Sequence, residues 1–223
     1  FAVNVGCLRY AEDEVLRCVE EGIAQYVILG AGLDSFALRR GDFAGSLHVF
    51  EVDHPDVQAV KRGRIESSAE TPAMLPVFLP VDFEVDSFDT QLVAHGFDVE
   101  APAVVSWLNT AHYLSEEAIA SALAALSGIL AAGSRLILNY SADVPFSQEQ
   151  LDFVMRLLEV TAAAGEPFVS RFTPEAFETL LLEHGFEVVE HATEEDLFVR
   201  YFTGREDGLQ PAIPLRVVTA RKC

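Results

Sequence analysis

The first residues whose types and spacing point to chemistry are a Gly-Ala-Gly turn and the acids that follow it. The apolar run QYVILG ends in Gly30-Ala31-Gly32, after which the sequence turns polar. Glycine at such a turn lets the backbone bend tightly and approach a ligand closely. A second apolar run ends in Glu51 and Asp53, about 20 residues further on, where an acid can accept hydrogen bonds from ribose hydroxyls. We therefore expect a nucleoside-like ligand above this turn.

A third element is Val81-Asp82-Phe83, just after the third apolar run. In a parallel sheet this position lies beside the adenine of a nucleoside bound over the first two strands. Asp82 can accept a hydrogen from the adenine amino group, and Phe83 can pack against the ring. A helix-capping aspartate beside a core phenylalanine explains the same residues equally well.

The residues around the glycines argue against a triphosphate. The third glycine of the GxGxxG fingerprint is replaced by Ser35, and no Gly-Lys-Ser/Thr follows as in a P-loop. Arg39 and Arg40 are expected at the far end of the helix that follows, too far to neutralise phosphates. NAD and S-adenosyl-L-methionine therefore remain as alternative ligands.

Bulk composition narrows the class of protein. The chain has 223 residues, half of them hydrophobic, and a net charge of −20, so we expect no nucleic-acid or anionic membrane partner. No apolar stretch reaches the roughly 18 residues of a membrane span. Cys7, Cys18 and Cys223 lack the spacing of a disulfide framework or a zinc site, which favours a reducing cytoplasm and no metal. Because the first residue is Phe1 rather than Met, a truncated N-terminus is expected.

Alternating apolar and amphipathic segments must position these residues. Strands are predicted over 26–30, 47–53, 74–83, 102–110, 135–140, 186–191 and 214–220, and helices over 11–22, 33–40, 55–68, 86–96, 115–133, 147–164, 173–184 and 195–203. Strands that are apolar on both faces and joined by helices predict a mostly parallel sheet with helices on both faces. We expect one α/β, Rossmann-like domain over residues 1–223. The last two strands are expected to form an edge in which one strand is antiparallel, and the ligand to lie over the carboxyl ends of the strands.

Four stretches together resemble one protein family. GAGLDS, FEVDHP, VDFE and PAVVSWLNTAHYLS resemble the bacterial branch of the leucine carboxyl methyltransferase family, and QYVILGAGLDS is the most specific of the shared motifs. The resemblance runs from about Arg9 to the end of the chain and includes RYFTGREDGL. It implies the seven-stranded class I methyltransferase fold, the cofactor S-adenosyl-L-methionine and transfer of a methyl group to oxygen.

The resemblance also implies roles for individual residues. Gly30, Ala31 and Gly32 would lie under the methionine part of the cofactor. Asp53 would bind its ribose, and Asp82-Phe83 its adenine. The Arg-Thr-Arg stretch with which family members reach the cofactor carboxylate reads Cys7-Leu8-Arg9 here, which leaves Arg9 for that role. Eukaryotic members have a glutamate after the fourth strand where this chain has Trp107-Leu108-Asn109, so recognition of a protein carboxyl group does not carry over.

The methyl acceptor has fewer signals in the sequence. Asn109, His112 and Tyr113 follow the fourth strand and are candidates for orienting an acceptor. A carboxylate acceptor is already ionised at pH 7, whereas a hydroxyl acceptor needs a general base, for which His54 and His112 are the candidates. Residues 145–175 would lie over the strand ends as a substrate-side insert. No residue is assigned as catalytic.

Three functions remain open at this point. The first is a methyltransferase that acts on a small acidic or hydroxylated metabolite. The second is an NAD(P)-dependent oxidoreductase, against which Ser35 and the reversed last strand argue. The third is a binding protein that keeps a degenerate methyltransferase fold. The incomplete arginine motif is the observation that supports this hypothesis. The sequence does not indicate an oligomeric state.

Overall fold

Strands and helices alternate along the chain in the predicted order. The computed structural model describes residues 2–68, 72, 74–145, 148–163, 165, 167–211 and 213–223, without the side chain of Glu149. The strands are β1 (Gln25–Leu29), β2 (His48–Asp53), β3 (Val77–Pro80), β4 (Val104–Trp107), β5 (Arg135–Ser141), β6 (Phe186–Ala192) and β7 (Leu215–Lys222). The α-helices are α1 (Ala2–Glu20), α2 (Phe36–Arg39), α3 (Pro55–Glu66), α4 (Asp89–Ala94), α5 (Glu116–Ile129), α6 (Gln148–Ala163), α7 (Pro174–Glu183) and α8 (Glu194–Tyr201). Short 3₁₀ turns cover Gly41–Phe43 and Ala111–Tyr113.

The strands form one seven-stranded sheet in the order β3-β2-β1-β4-β5-β7-β6. Neighbouring strands from β3 to β5 are parallel, and β7 runs antiparallel to both β5 and β6. The predicted class I methyltransferase fold is therefore confirmed. The last two strands form one edge of the sheet, as predicted. Strand β7 lies between β5 and β6, and β6 is the outermost strand. The strand order reverses between β1 and β4, which is where an open α/β sheet binds its ligand.

Helices cover both faces of the sheet. Alternation along β1 sends Val27 and Leu29 into a core shared with α4, α5 and α7, and Tyr26 and Ile28 into a core shared with α1, α2 and α8. Each central strand is therefore buried on both faces, as its continuous apolar run predicts. Across the described residues, no helix combines the length and the apolar character needed to cross a membrane.

Helix α1 begins at Ala2, well before the predicted start at residue 11. The first residues of the chain include valines, an asparagine and a glycine, which have low intrinsic helix propensity. Tertiary packing overrides this propensity, because Val3, Cys7 and Tyr10 are all buried at helical spacing. A Cβ added at Gly6 would lie only 3.2 Å from the Phe202 ring, so glycine permits close packing against the end of α8.

Candidate cofactor and substrate site

A cavity of about 380 Å³ opens at the carboxyl ends of β1 and β4, where the strand order reverses. Its walls come from α1, β1, the Gly-Ala-Gly turn, α2 and the residues that end β4. The polar side chains that line it are those of Glu12, Tyr26, Asp34, Ser35, Arg39, Ser106 and Asn109. The remaining lining residues are mostly apolar, so the cavity can hold a ligand that is part apolar and part charged.

The predicted glycine turn forms the floor of this cavity. Gly30 and Gly32 have φ values of +64° and +49°, in the left-handed region that favours glycine. The Gly30 N–H donates to the Val52 carbonyl at 2.8 Å, which ties the turn to β2. A Cβ on Gly30 would lie 2.0 Å from Thr110 Oγ1, whereas a Cβ on Gly32 would meet no atom within 4 Å. Gly30 is therefore needed for packing, and Gly32 leaves open space for a ligand.

Asp53 holds the turn from the neighbouring strand. Its Oδ2 accepts a hydrogen bond from the Gly32 N–H, and its Oδ1 accepts one from the His54 N–H at 2.6 Å. The sequence places Asp53 at the end of β2, and the structure joins it directly to the glycine turn. Its carboxylate is thus next to the cavity floor, although Asp53 itself is not among the lining residues.

A buried ion pair supports β2 behind Asp53. Glu51 lies on the same face of the strand, fully buried, and binds Lys61 of α3. Burial raises the pKa of Glu51 to about 7, although Lys61 acts in the opposite direction. Gln58 of α3 donates to the carbonyls of Glu51 and Leu79 at 2.8 and 2.9 Å. These polar contacts connect α3 to β2 and β3. Neither Lys61 nor Gln58 was identified from the sequence.

Asp82 and Phe83 follow β3, on the side of β2 away from the cavity. Asp82 Oδ2 lies 3.9 Å from Nε2 of His54, and Asp82 Oδ1 accepts the Glu84 N–H at 3.0 Å. The Phe83 ring packs against the core, with its centroid 6.1 Å from that of Trp107. Asp82 therefore lies next to the end of β2. Phe83 is partly buried against the core, as expected if it is a core phenylalanine.

Arg9 does not line the cavity. Its Nη2 lies 2.9 Å from Asp13 Oδ1 on the exposed side of α1, and Asp13 also accepts a hydrogen bond from the Tyr201 hydroxyl at 3.0 Å. Leu8 and Glu12 of the same helix do line the cavity. The predicted contact of Arg9 with a cofactor therefore has no support from its placement here.

Arg39 lies at the cavity instead, which corrects the expectation that it is remote from the turn. Helix α2 spans only Phe36–Arg39, so its last residue is one turn from the loop. The Arg39 guanidinium contacts Glu12 through Nη2–Oε2 at 3.1 Å, and its Nε donates to Ser35 Oγ at 2.9 Å. Sequence reasoning missed Glu12 and Arg39. The spacing of four residues between Ser35 and Arg39, which puts both on one helix face, was the available signal.

Asn109, two residues after the end of β4, has an unusual backbone conformation with φ of 56°. Asparagine is one of the few residues that adopt this left-handed region. The Asn109 N–H donates to Asn139 Oδ1 at 2.6 Å, and Asn139 Nδ2 donates to Asn109 Oδ1 at 2.9 Å. This reciprocal pair uses the side-chain oxygen of Asn109, and Asn109 is also among the residues that line the cavity. Asn139 is fully buried on β5 and was not identified from the sequence.

His112 and Tyr113 form an aromatic cluster with Phe168, outside the cavity lining. The His112 ring centroid lies 4.3 Å from that of Tyr113 and 4.4 Å from that of Phe168. Burial lowers the pKa of His112 to about 4, so its ring is neutral at pH 7. Its Nδ1 is buried without a hydrogen-bond partner among the described residues. Within the same residues, no group of three or more His, Cys, Asp or Glu side chains is placed to hold a metal ion.

Part of the predicted insert over residues 145–175 packs beside this cluster. The Val169 N–H donates to the His112 carbonyl at 2.8 Å, and the Asp143 N–H donates to the Phe172 carbonyl at 2.7 Å. Residues 167–172 therefore contact the loops that follow β4 and β5. Positions 146, 147, 164 and 166 of the insert lie outside the described residues. Its role toward a substrate stays a prediction.

Comparison with known proteins identifies the family. The family model described as leucine carboxyl methyltransferase matches residues 4–127, more than half of the chain. A Bacillus subtilis (strain 168) protein, named "Putative S-adenosyl-L-methionine-dependent methyltransferase YktD", is 32% identical over 202 residues, which are 90% of this chain and 66% of that protein. The chain spans less than two-thirds of the length of the curated relatives it matches.

Solved structures show the same fold at low sequence identity. A duf574 family protein from Streptomyces avermitilis MA-4680 has a TM-score of 0.68 at 20% identity, covering 98% of this chain and 83% of its own. Magnesium protoporphyrin IX methyltransferase from Synechocystis PCC 6803 with bound SAH has a TM-score of 0.60 at 13% identity, covering 98% and 84%. With the family match and this fold, the chain belongs to the leucine carboxyl methyltransferase family of S-adenosyl-L-methionine-dependent methyltransferases.

Proposed function

We propose that this chain transfers the methyl group of S-adenosyl-L-methionine to an oxygen atom, in a carboxylate or a hydroxyl group, of a small-molecule metabolite. The observation that carries the proposal is the cavity at the reversal of strand order, with the glycine turn as its floor and Asp53 bonded to that turn. Family membership supports the cofactor, and the metabolite class is our extension of it.

The residues around the cavity fit the parts of this cofactor. Gly30, Ala31 and Gly32 would lie under its methionine part, since Gly32 faces open space. The Asp53 carboxylate accepts a hydrogen bond from the Gly32 N–H of the turn. It would also accept hydrogen bonds from the ribose hydroxyls. Asp82 and Phe83 follow β3, outside the cavity lining, and would contact the adenine where it extends past the end of β2. The apolar walls of the cavity suit the carbon atoms between these polar ends.

The proposed acceptor side consists of Asn109, His112 and Tyr113. The bound cofactor supplies a methyl group that is already activated by the sulfonium, so the main task of the protein is alignment. Asn109 lines the cavity, is hydrogen-bonded to Asn139 and would orient an acceptor oxygen. His112, with its pKa lowered to about 4 by burial, is a weak base at pH 7. A weak base at this position is compatible with an acceptor that needs no general base, such as a carboxylate.

Charge and cysteine chemistry support the proposed surroundings of the enzyme. A net charge of −20 disfavours a nucleic-acid acceptor and is compatible with a small-molecule acceptor. Cys7 and Cys18 are buried free thiols, and Cys223 is an exposed one. Free thiols and bacterial relatives are consistent with a cytoplasmic location, which we propose here.

Calorimetric titration with S-adenosyl-L-methionine, S-adenosylhomocysteine and NADH tests the proposal. We expect the first two ligands to bind with micromolar affinity and NADH not to bind. Asp53→Ala should weaken binding about tenfold to a hundredfold, because charge-assisted hydrogen bonds to the ribose are lost. Asp56→Ala is the matched control, since it removes the same charge from a side chain that is 94% exposed on α3.

Each other outcome points to a different function. Binding of NADH alone would favour an oxidoreductase on this fold. No binding of any of the three ligands would favour a binding protein that keeps a degenerate methyltransferase fold. Equal weakening by Asp53→Ala and Asp56→Ala would remove the assigned role of Asp53 while leaving the cofactor in place.

A further inference from the structure

The cavity carries neighbouring charges of opposite sign, and the cofactor in the proposed function carries a matching pair. Among the described residues that line the cavity, Arg39 supplies the positive charge and Glu12 and Asp34 the negative charges. At pH 7 the amino-acid end of S-adenosyl-L-methionine is a zwitterion, with an α-ammonium and an α-carboxylate. A guanidinium beside a carboxylate complements such a group through charge-assisted hydrogen bonds.

The Arg39 guanidinium is held in place and keeps donors available. Its Nε donates to Ser35 Oγ at 2.9 Å, while Nη1 and Nη2 contact the two Glu12 carboxylate oxygens at 3.4 and 3.1 Å. These bonds use three of the five N–H donors of an arginine. Two donors on the Nη atoms therefore have no bond of this kind within the described residues, and a carboxylate in the cavity can accept them.

Glu12 is ionised and shared between two arginines. Burial acts to raise its pKa, but hydrogen bonds and charges from Arg39 and Arg40 outweigh burial and lower it. Arg40 Nη1 lies 3.3 Å from Glu12 Oε1, and Arg40 Nη2 contacts Asp42. Glu12 is partly buried at the cavity wall, and its two arginine partners hold its carboxylate in place. An ammonium group in the cavity could therefore pair with this carboxylate.

Arg9, the arginine that the family resemblance assigns to the cofactor carboxylate, is placed differently. It lies one helical position after Leu8, which lines the cavity, and its guanidinium contacts Asp13. Asp13 is in turn hydrogen-bonded to Tyr201 of α8. Arg9 therefore takes part in contacts between α1 and α8 rather than in the cavity.

We propose that Arg39 binds the α-carboxylate of the cofactor, the role that the family pattern gives to Arg9, and that Glu12 binds its α-ammonium. Helix α2 is only four residues long, so Arg39 at its end lines the same cavity as the turn that begins at Gly30. Ser35, one turn earlier, is a positioning residue for the guanidinium.

Calorimetric titration of the full chain with two pairs of ligands tests the proposal. S-adenosylhomocysteine is compared with 5′-methylthioadenosine, which lacks the whole amino-acid end, and S-adenosyl-L-methionine with its decarboxylated form, which lacks the carboxylate alone. We expect Arg39→Gln to weaken S-adenosylhomocysteine binding about tenfold or more and to leave 5′-methylthioadenosine binding unchanged. Glu12→Gln should weaken S-adenosyl-L-methionine and its decarboxylated form by similar factors, because both keep the ammonium.

Two matched controls separate this role from general effects of charge. Arg221→Gln removes the same charge from an ion pair with Glu187 at the opposite edge of the sheet, where the arginine side chain is 50% exposed compared with 52% for Arg39. Arg9→Gln tests the competing assignment. Neither control should change S-adenosylhomocysteine binding by more than about twofold, a difference well below one charge-assisted hydrogen bond.

The wild-type chain gives a second measurement that needs no substitution. It should bind decarboxylated S-adenosyl-L-methionine about tenfold or more weakly than S-adenosyl-L-methionine, and Arg39→Gln should abolish that difference. The inference is overturned if Arg9→Gln weakens binding and Arg39→Gln does not, or if Arg39→Gln weakens all four ligands alike. If the wild-type chain binds none of them, the proposed function fails together with the inference. Binding that Arg39→Gln leaves unchanged overturns the inference alone.

Discussion

The two sides of the candidate site are built in different ways. The proposed cofactor side (the turn at Gly30–Gly32, with Glu12, Arg39 and Asp53) combines segments next to strand ends with a residue of α1, joined by ion pairs and hydrogen bonds to backbone N–H groups. The proposed acceptor side consists mainly of aromatic rings, with a neutral buried His112 against Phe168 from a distant segment. Charged groups with local partners suit a ligand of constant structure. Rings contributed by separate loops allow the acceptor to differ among relatives with one fold.

The supports behind the two sides differ as well. Behind the cofactor side lies the buried Glu51–Lys61 pair, which connects β2 to α3. The acceptor side is connected to residues 167–172 by backbone hydrogen bonds such as Val169 N–H to the His112 carbonyl. A substitution at the Glu51–Lys61 pair should therefore change the free energy of unfolding directly, whereas the contribution of His112 to that free energy should depend on pH.

The largest expected effect is on the buried ion pair. Lys61→Met should lower the free energy of unfolding by about 3–5 kcal/mol, because Glu51 is then a buried carboxylate without a counter-charge. Urea unfolding followed by circular dichroism measures this. The double variant Glu51→Leu/Lys61→Met should recover most of the loss, since neither charge remains. A double variant as unstable as the single one would show that packing, and not charge, is the source of the effect.

The glycine turn should give the next largest effect. Gly30→Ala combines a left-handed φ with a Cβ placed 2.0 Å from Thr110 Oγ1, so we expect a loss of about 3 kcal/mol. Gly32→Ala has the left-handed φ but no atom within 4 Å, so about 1 kcal/mol is expected. The comparison uses denaturant unfolding of both variants. Equal losses would contradict the assigned packing of the turn against the loop after β4.

An effect smaller than that of Gly30→Ala is expected from the pH dependence of His112. The pKa of His112 is about 4 in the folded chain compared with an ordinary value of 6.5. A depressed pKa makes the unfolded chain bind the proton more tightly, so stability is full above pH 6.5 and falls as the pH drops toward 4. From pH 6.5 to pH 5 this group should remove about 2 kcal/mol of the free energy of unfolding.

His112→Phe isolates this contribution. The variant keeps a ring against Tyr113 and Phe168 but has no titrating group. Its unfolding free energy should decline less than that of the wild-type chain over the same pH range, by the amount expected for His112. Parallel pH profiles for the two chains would show that His112 is not neutral and buried in the folded state.

Much of the fold could be predicted because its signals are local. Continuous apolar runs, glycine stops and Pro55 at the start of α3 located the strands and most helices. The start of α1 was missed because its first residues are poor helix formers that depend on packing against α8. Within the site, the positions of Gly30 and Asp53 could be predicted from spacing alone, since parallel strands end at a common edge.

The sequence by itself determined the fold class, the family and the order in which strand ends carry polar residues. Only the tertiary structure decided which polar groups meet. It showed Arg39 rather than Arg9 at the cavity, joined Asn109 to Asn139, and paired Glu51 with Lys61. The physical reason is that helix length and the packing of α1 against the sheet set the direction of each long side chain. Those directions depend on contacts between residues far apart in sequence, which local patterns do not encode.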